Sequence, residues 1–146
     1  MDPETVLKEC YAAFEASQFD KAAGYFADNF VLTGPTPQPV GKKEFVGLQT
    51  GLIQGIPDWK FNAHNFQTQG DTVTVVMQIT GTQTRTISAP MPGLPDVPVT
   101  GKHFKLPEEP SRVTVKDGKI TSFTSEPVPG GGVMGIFQQL GVSMDS

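Results

Sequence analysis

The segment KLPEEPSRV contains the side chains best suited to acid–base chemistry, the adjacent glutamates Glu108 and Glu109. Desolvation beside a hydrophobic cavity and repulsion by a second carboxylate can raise the pKa of a carboxyl group, which makes a general acid near neutral pH. Adjacent strand residues point to opposite faces, so only one glutamate can face inward unless a bulge intervenes. Alternation places Glu108 on the face of Leu106 and Arg112. A contact with Arg112 would instead indicate a structural ion pair and lower the Glu108 pKa.

Four other side chains could take part in chemistry. Tyr11 lies one helical turn from the apolar residues of its helix, so its hydroxyl either reaches a pocket as a donor or is satisfied by backbone. Strand alternation sends His64 to the outer face of its strand, and His103 is expected at solvent or an interface. Cys10 lies on an apolar helical stripe, which predicts a buried, inert thiol with no catalytic role.

No spacing in the sequence is typical of a metal or phosphate site. Two histidines on different predicted strands and one cysteine do not form a set of metal ligands. The segment PGGGVMG lacks the lysine and the following hydroxyl residue of a phosphate-binding loop. We therefore expect neither a metal nor a cofactor.

The composition indicates one soluble globular domain over residues 1–146. A net charge of −4 with scattered basic residues is unfavourable for nucleic-acid binding, which requires clustered Lys and Arg. No apolar run is long enough to span a membrane, and the acidic start MDPETVLKEC differs from a secretory signal. We expect a cytoplasmic protein without nucleic-acid or membrane partners.

Helical periodicity predicts two helices before the first strand. Asp2 is an N-cap residue before a proline at the first helical position, and apolar residues at helical spacing continue to about Ser17. Asp20 can cap a second short helix over KAAGYFAD, residues 21–28. The following FVLT, residues 30–33, is predicted to be a short strand.

A third helix is predicted over residues 42–56, before Pro57, which cannot continue it. Within it Gly47, Gly51 and Gly55 recur every four residues on one side. Each glycine costs about 0.5–1 kcal/mol relative to alanine in a helix interior. Either another backbone or a ligand approaches this side closely, or it is a poorly optimised exposed face.

The second half of the chain is predicted to be mainly strands, with a proline-rich loop ISAPMPGLPDVPVT between them and a short final helix over VMGIFQQLGV. Gly70-Asp71 and Asp117-Gly118 are typical of tight antiparallel hairpins. Trp59 and Met77 lie on strand faces that alternate inward and could line a pocket or pack in the core. Helices followed by a meander predict an α+β fold. The predicted strands are WKFNAHNFQTQ, TVTVVMQITGTQTRT, GKHFKLPEEPSRVTV and KITSFTSE.

Several segments, in this order, resemble the nuclear transport factor 2-like superfamily in its SnoaL-like, polyketide-cyclase-related branch. The resemblance implies a cone in which a curved antiparallel sheet wraps around N-terminal helices and encloses a pocket. It also implies a homodimer formed through the outer sheet face. The matching segments are YAAFEASQFDKAAGYFADNFVL, PVGKKEF, IPDWKF, QGDTVTVVMQITGTQT, VKDGKIT and FQQLGV.

The resemblance also shows which family positions have changed. The ketosteroid-isomerase pattern TVEDP, whose aspartate is a general base, resembles VLTGP here, so the base position falls on Gly34. The GTHTG of many relatives is similar to GTQTR, with Gln83 at the histidine position. In SnoaL-like cyclases an acidic residue follows the DGKI strand, and Glu126 is the only carboxylate in that stretch here.

Three functions remain open, because this superfamily contains both enzymes and binding proteins. The leading hypothesis is a protein that binds a hydrophobic small molecule, with a carbonyl-bearing compound as one option. The first alternative is an isomerase, cyclase or hydrolase that uses Glu108 or Glu126 as acid/base and Tyr11 as a hydrogen-bond donor. The second is a protein-interaction module with a vestigial pocket. The expected ligand-binding residues are Trp59, Met77, Leu32 and Gly34 of the VLTGPTPQP stretch, Gly51 and Arg112.

Overall fold

The computed structural model describes residues 2–33, 39–87, 96–126 and 128–142. Its helices are α1 (Pro3–Glu15), α2 (Phe19–Ala23), α3 (Lys42–Gly55) and α4 (Gly132–Gln139). Its strands are β1 (Phe26–Thr33), β2 (Val40–Gly41), β3 (His64–Gln69), β4 (Thr72–Met77), β5 (Thr80–Thr82), β6 (His103–Lys105), β7 (Glu109–Lys116) and β8 (Lys119–Ser125). The predicted α+β fold class is confirmed.

Six strands form the main sheet in the order β2-β1-β8-β7-β4-β3, and β5 pairs with β6 in a separate ribbon. The pairs β1–β2, β3–β4, β4–β7 and β7–β8 are antiparallel. The pair β1–β8 is parallel and joins Leu32 to Phe123 in register. The central strands therefore combine an early segment of the chain with a late one.

Two of the predicted helices are confirmed to within a few residues. Asp2 Oδ1 accepts a hydrogen bond from the Thr5 amide at 2.8 Å, and Pro3 occupies the first helical position of α1. The helix ends at Glu15, slightly before the predicted end. α3 ends one residue earlier than predicted, at Gly55.

The second predicted helix is wrong in its position. α2 is a five-residue helix that begins after Gln18, and Asp20 lies inside its first turn instead of capping it. Residues from Phe26 onward belong to β1, where Phe26 pairs with Ile120 of β8. Strand pairing and burial of Phe26 override the local helical pattern.

The long predicted strands are interrupted. The hairpins at Gly70-Asp71 and Asp117-Gly118 are confirmed, and Gly70, Asp117 and Gly118 have positive φ angles. β3 begins only at His64, and the segment after β4 leaves the main sheet to pair with β6. Residues 106–108 belong to no strand, and Pro107 lacks the amide hydrogen that a ladder needs. Strand alternation therefore does not carry across residues 106–108.

The apolar face of the sheet and the inner sides of α1 and α3 share one hydrophobic core. α1 packs against β4, β7 and β8, and α3 packs against β1 and β2. The largest side chains that are fully buried include Phe14, Phe30, Leu52, Trp59, Phe104 and Phe137. This packing fixes the helices over one face of the sheet.

Gln83 fastens the base of the proline-rich loop. Its Nε2 donates to the carbonyls of Arg85, Val97 and Pro98 at 3.0, 3.1 and 3.0 Å. Its Oε1 accepts from the amide and hydroxyl of Thr100 at 2.9 and 2.6 Å. Within this loop, residues 88–95 lie outside the described residues.

The glycines of α3 differ in their surroundings. A Cβ on Gly55 would meet Ile87 Cγ1 and would lie 3.2 Å from the Arg85 carbonyl oxygen. A Cβ on Gly47 would meet no atom within 4 Å. Close backbone approach therefore explains Gly55, whereas Gly47 lies on an exposed face.

We expect Gly55→Ala to lower the free energy of unfolding by about 1–3 kcal/mol, because the added methyl group overpacks the contact with Ile87. Gly47→Ala is the matched control in the same helix. It should raise the free energy of unfolding by about 0.5–1 kcal/mol, because alanine favours the helical backbone without a clash. Urea unfolding followed by circular dichroism measures both. Equal effects of the two substitutions would contradict the close approach at Gly55.

Candidate functional site

A cavity of about 110 Å³ lies between the helices and the inner face of the main sheet. α1, α3 and α4 contribute to its wall together with β1, β4, β7 and β8. Most of its lining is aromatic or aliphatic. The aromatic residues, apart from Tyr11, are Phe14, Phe26, Phe45, Trp59, Phe61 and Phe123.

Glu109 places a carboxyl group in this apolar wall. It is the first residue of β7, lies opposite Met77 of β4 in register, and is 4% exposed. A Cβ on Gly131 would lie 3.0 Å from Glu109 Oε1, so the carboxyl group lies against the start of α4. A helix N-terminus favours negative charge, and this contact can hold the carboxyl group in place.

Tyr11 and Met77 meet across the cavity wall. The Tyr11 hydroxyl donates to Met77 Sδ at 3.3 Å, and its ring centroid lies 4.6 Å from that of Phe61. Burial raises the pKa of the Tyr11 hydroxyl, and the neighbouring Cys10 adds to the rise. The hydroxyl therefore remains protonated and able to donate at neutral pH.

A polar strip completes the wall beside these groups. Ser125 of β8 lines the cavity, and its hydroxyl lies 3.0 Å from that of Ser111, its register partner on β7. Gln49 of α3 also lines the cavity and is buried. Among the described residues, neither Gln49 Nε2 nor Trp59 Nε1 has a hydrogen-bond partner. The wall thus offers both donors and acceptors.

The chain with this cavity matches a known domain family over most of its length. A family model for the SnoaL-like domain matches residues 7–123. The chain belongs to the SnoaL-like domain family. None of the curated proteins matches the chain.

Solved structures with the SnoaL-like fold superpose over nearly the whole chain. IdmH from Streptomyces antibioticus, a candidate polyketide cyclase, has a TM-score of 0.71 and 20% identity, with 97% of this chain and 100% of that chain covered. AclR from Streptomyces galilaeus, a candidate hydroxylase, has a TM-score of 0.74 and 16% identity, with 95% of each chain covered. At such identities the likeness establishes the fold alone.

One hypothesis from the sequence, that Glu108 faces the cavity, is wrong. Its side chain is 62% exposed, and Glu108 Oε1 lies 3.2 Å from His64 Nε2 on the outside of the molecule. The cause is the break at residues 106–108, after which β7 begins with its neighbour Glu109 facing inward. His64 lies on the outer face, as alternation predicts.

Glu126 and Arg112 also lie outside the SnoaL-like cavity. Both are exposed and line a groove on the opposite face of the sheet with Gln67 and Thr74. Gly51 is half-buried on α3 and is not among the described residues that line the cavity. Glu126 and Arg112 cannot reach a molecule in the cavity without a rearrangement of the sheet.

The remaining predicted residues fall into three groups. Leu32, Trp59 and Met77 line the cavity together with Tyr11. Gln83 is fully buried beneath the proline-rich loop, away from the cavity lining. Gly34, which the resemblance to ketosteroid isomerases places at a general-base position, lies outside the described residues.

Sequence reasoning missed Gln49, Ser125 and the inward orientation of Glu109. Gln49 had a readable signal, since it follows Phe45 by four residues and precedes Leu52 by three on the apolar stripe of α3. A polar residue on such a stripe indicates a buried polar contact. Ser125 lies within the predicted strand KITSFTSE and shares the inward alternation of Phe123, so strand alternation was the signal that could have found it.

Two other kinds of site are absent from the described part of the chain. No group of three His, Cys, Asp or Glu side chains there could hold a metal ion. None of the helices there is long and apolar enough to cross a membrane. A cytoplasmic location remains a prediction.

Cys10 generates a pH-dependent prediction. Burial raises the pKa of its thiol from 9.0 to about 12. The unfolded chain loses the thiol proton above pH 9, whereas the folded chain keeps it, so stabilisation present below pH 9 is lost as pH rises. At pH 10 this loss is about 1.4 kcal/mol.

We therefore expect wild type to lose about 1.4 kcal/mol of unfolding free energy between pH 8 and pH 10 that Cys10→Ala does not lose. The difference in unfolding free energy between the two proteins should shift by that amount. Urea unfolding at the two pH values measures it. Val6→Ala, a buried truncation on the same helix, should keep a constant difference. A constant difference for Cys10→Ala as well would refute the raised thiol pKa.

Proposed function

We propose that this protein binds a compact hydrophobic molecule in the cavity between α1, α3 and the sheet. The observation that carries the proposal is the cavity itself, since protein interiors are normally close-packed. Its aromatic lining favours a ring or a short branched hydrocarbon frame. The expected contacts of Trp59, Met77 and Leu32 with a ligand are part of this proposal.

The volume of the cavity limits the ligand. Sites for drug-sized ligands have volumes of about 300–1,000 Å³, and an engineered cavity of about 150 Å³ accepts benzene. A volume of about 110 Å³ therefore favours one ring with small substituents, with some movement of neighbouring side chains. A carbonyl-bearing compound of this size is compatible with the lining.

An acid–base enzyme is the second candidate, and the carboxyl group of Glu109 in the cavity wall favours it. Glu109 takes the role that the sequence assigned to Glu108 or Glu126, because those two side chains lie outside the cavity. Tyr11 would donate a hydrogen bond to a substrate oxygen. IdmH, a candidate polyketide cyclase of the same fold, supports the cyclase option.

A vestigial pocket is less well supported. That hypothesis requires the protein's own side chains to fill the interior, yet about 110 Å³ stays open among the described residues. An interaction surface on the outer sheet face is compatible with either function. We include homodimerisation through that face in the proposal, because a polar groove containing Arg112 and Glu126 runs across it.

Replacing Glu109 separates the binder from the enzyme. Ligand binding raises the midpoint of thermal unfolding, so a library of small lipophilic carbonyl compounds and aromatics can be screened against wild type. If the protein is a binder, Glu109→Gln should bind the hit with an affinity within about twofold of that of wild type, as judged from the midpoint shift. In an enzyme, it should lower turnover of the hit by about 10²–10⁴-fold.

Glu108→Gln is the matched control for this experiment, because its side chain is adjacent in sequence but exposed. It should change neither binding nor turnover. If Glu108→Gln lost binding or turnover while Glu109→Gln retained both, the carboxyl group of Glu109 would have no role in the function. A library without any hit in wild type would contradict the binding proposal.

A charge reversal tests the homodimer. An isologous interface repeats each contact twice, so Arg112→Glu should shift the protein from dimer to monomer. Sedimentation equilibrium measures the mass. Arg85→Glu, at another exposed position, should leave the dimer intact. A monomeric wild type would refute the proposed interface.

A further inference from the structure

Two hydrogen-bond donors in the cavity wall have no counterpart within the described residues, Gln49 Nε2 and Trp59 Nε1. The two side chains are 8% and 1% exposed. Buried donors in folded proteins are almost always paired, because an unpaired donor keeps the full cost of its lost hydration. Both donors therefore require an explanation, and both residues line the cavity, where a bound molecule could supply an acceptor.

The fold is able to satisfy a buried amide elsewhere. Gln83 donates to three carbonyls and accepts two hydrogen bonds from Thr100. Gln49 occupies a position of α3 between Leu48 and Leu52, where an apolar residue would fill the same space without this cost. The contrast between the two glutamines indicates that the Gln49 amide serves a purpose other than holding the fold.

The charges of the wall define what the donors can recognise. Among the described residues that line the cavity there is no Lys, Arg or His, and there is one carboxyl group, that of Glu109. An anionic ligand would lose its hydration without a cationic partner, which is strongly unfavourable. A neutral oxygen accepts from N–H groups without that penalty, whereas an ammonium group has no acceptor atom to offer them.

We propose that Gln49 Nε2 and Trp59 Nε1 are the recognition donors of this site, and that they select a compact neutral ligand with a carbonyl or ether oxygen over a hydrocarbon or a charged compound of the same shape. This inference rests on the binding function proposed above. It adds a chemical class to the ligand and assigns a role to Gln49. It also gives Trp59 the role of a hydrogen-bond donor to the ligand, in addition to its place in the cavity wall.

Three probes of the same shape test the inference, each a benzene ring with a short hydrocarbon bridge. They are the neutral ketone 1-indanone, the hydrocarbon indane, and 1-aminoindane, which is a cation at neutral pH. Trp59 is the only tryptophan in the chain, so its indole N–H gives a single resonance in a ¹H–¹⁵N spectrum. We expect 1-indanone to move this proton downfield, and indane to leave it near its free position. By calorimetry, 1-indanone should bind about tenfold more tightly than indane, as one well-formed hydrogen bond provides.

Gln49→Met tests the amide, because methionine keeps the length of the side chain and removes its polar atoms. In this variant the affinity for 1-indanone should exceed that for indane by no more than about threefold. Gln54→Met, the same substitution at an exposed position of α3, should keep the tenfold preference. The unfolding midpoint of Gln49→Met should equal or exceed that of wild type, since an unpaired buried amide has been removed.

Each contrary result has a distinct meaning. Equal binding of 1-indanone and indane to wild type would overturn the inference and leave the binding function standing. A preference that survives in Gln49→Met would overturn the role of Gln49, and tighter binding of 1-aminoindane would overturn the neutral class. A large fall in the midpoint of Gln49→Met would show that the amide holds the fold. No binding of any probe would overturn both the inference and the proposed function.

Discussion

A polar atom buried in an apolar interior must recover the hydration that it loses, and this requirement shapes the centre of the molecule. Gln83 meets it completely with five hydrogen bonds around the base of one loop. Ser111 and Ser125 meet it by bonding to each other across two strands. Gln49 and Trp59 leave donors unmatched within the described residues. The polar atoms that the fold does not use are thus concentrated around one cavity.

Apolar packing builds the SnoaL-like frame almost independently of these polar positions. α1 and α3 bury aliphatic and aromatic side chains against the sheet, and the fold is shared with IdmH at 20% identity and with AclR at 16%. Family positions can therefore change their purpose without loss of the fold. In this chain Gln83, for example, holds the base of a loop and does not line the cavity. Chemistry at the site has to be argued from Glu109, Tyr11 and Gln49 rather than from the family name.

Local signals predicted the parts of the fold that depend on local physics. The Asp2 cap, the stripe of α3 and the hairpin at Asp117-Gly118 each follow from a few neighbouring residues, and each was correct. Strand breaks and partners depend on distant residues, so the sequence missed the parallel pair β1–β8 and the interruption before Glu109. That interruption reversed the orientations of Glu108 and Glu109. The cavity wall could be predicted in part, through Tyr11, Leu32, Trp59 and Met77, whereas the inward carboxyl group of Glu109 could not.

The parallel pairing of β1 with β8 has a consequence for how the chain reaches its folded state. β1 ends at Thr33 and β8 begins at Lys119, so the centre of the sheet closes a loop of more than half the chain. Loop closure over such a distance is slow, and proteins rich in distant contacts fold more slowly than those with local ones. During synthesis, β1 cannot pair with β8 until the last quarter of the chain has been made. Its edge stays unpaired in that interval, and unpaired strand edges favour aggregation of a partly folded chain.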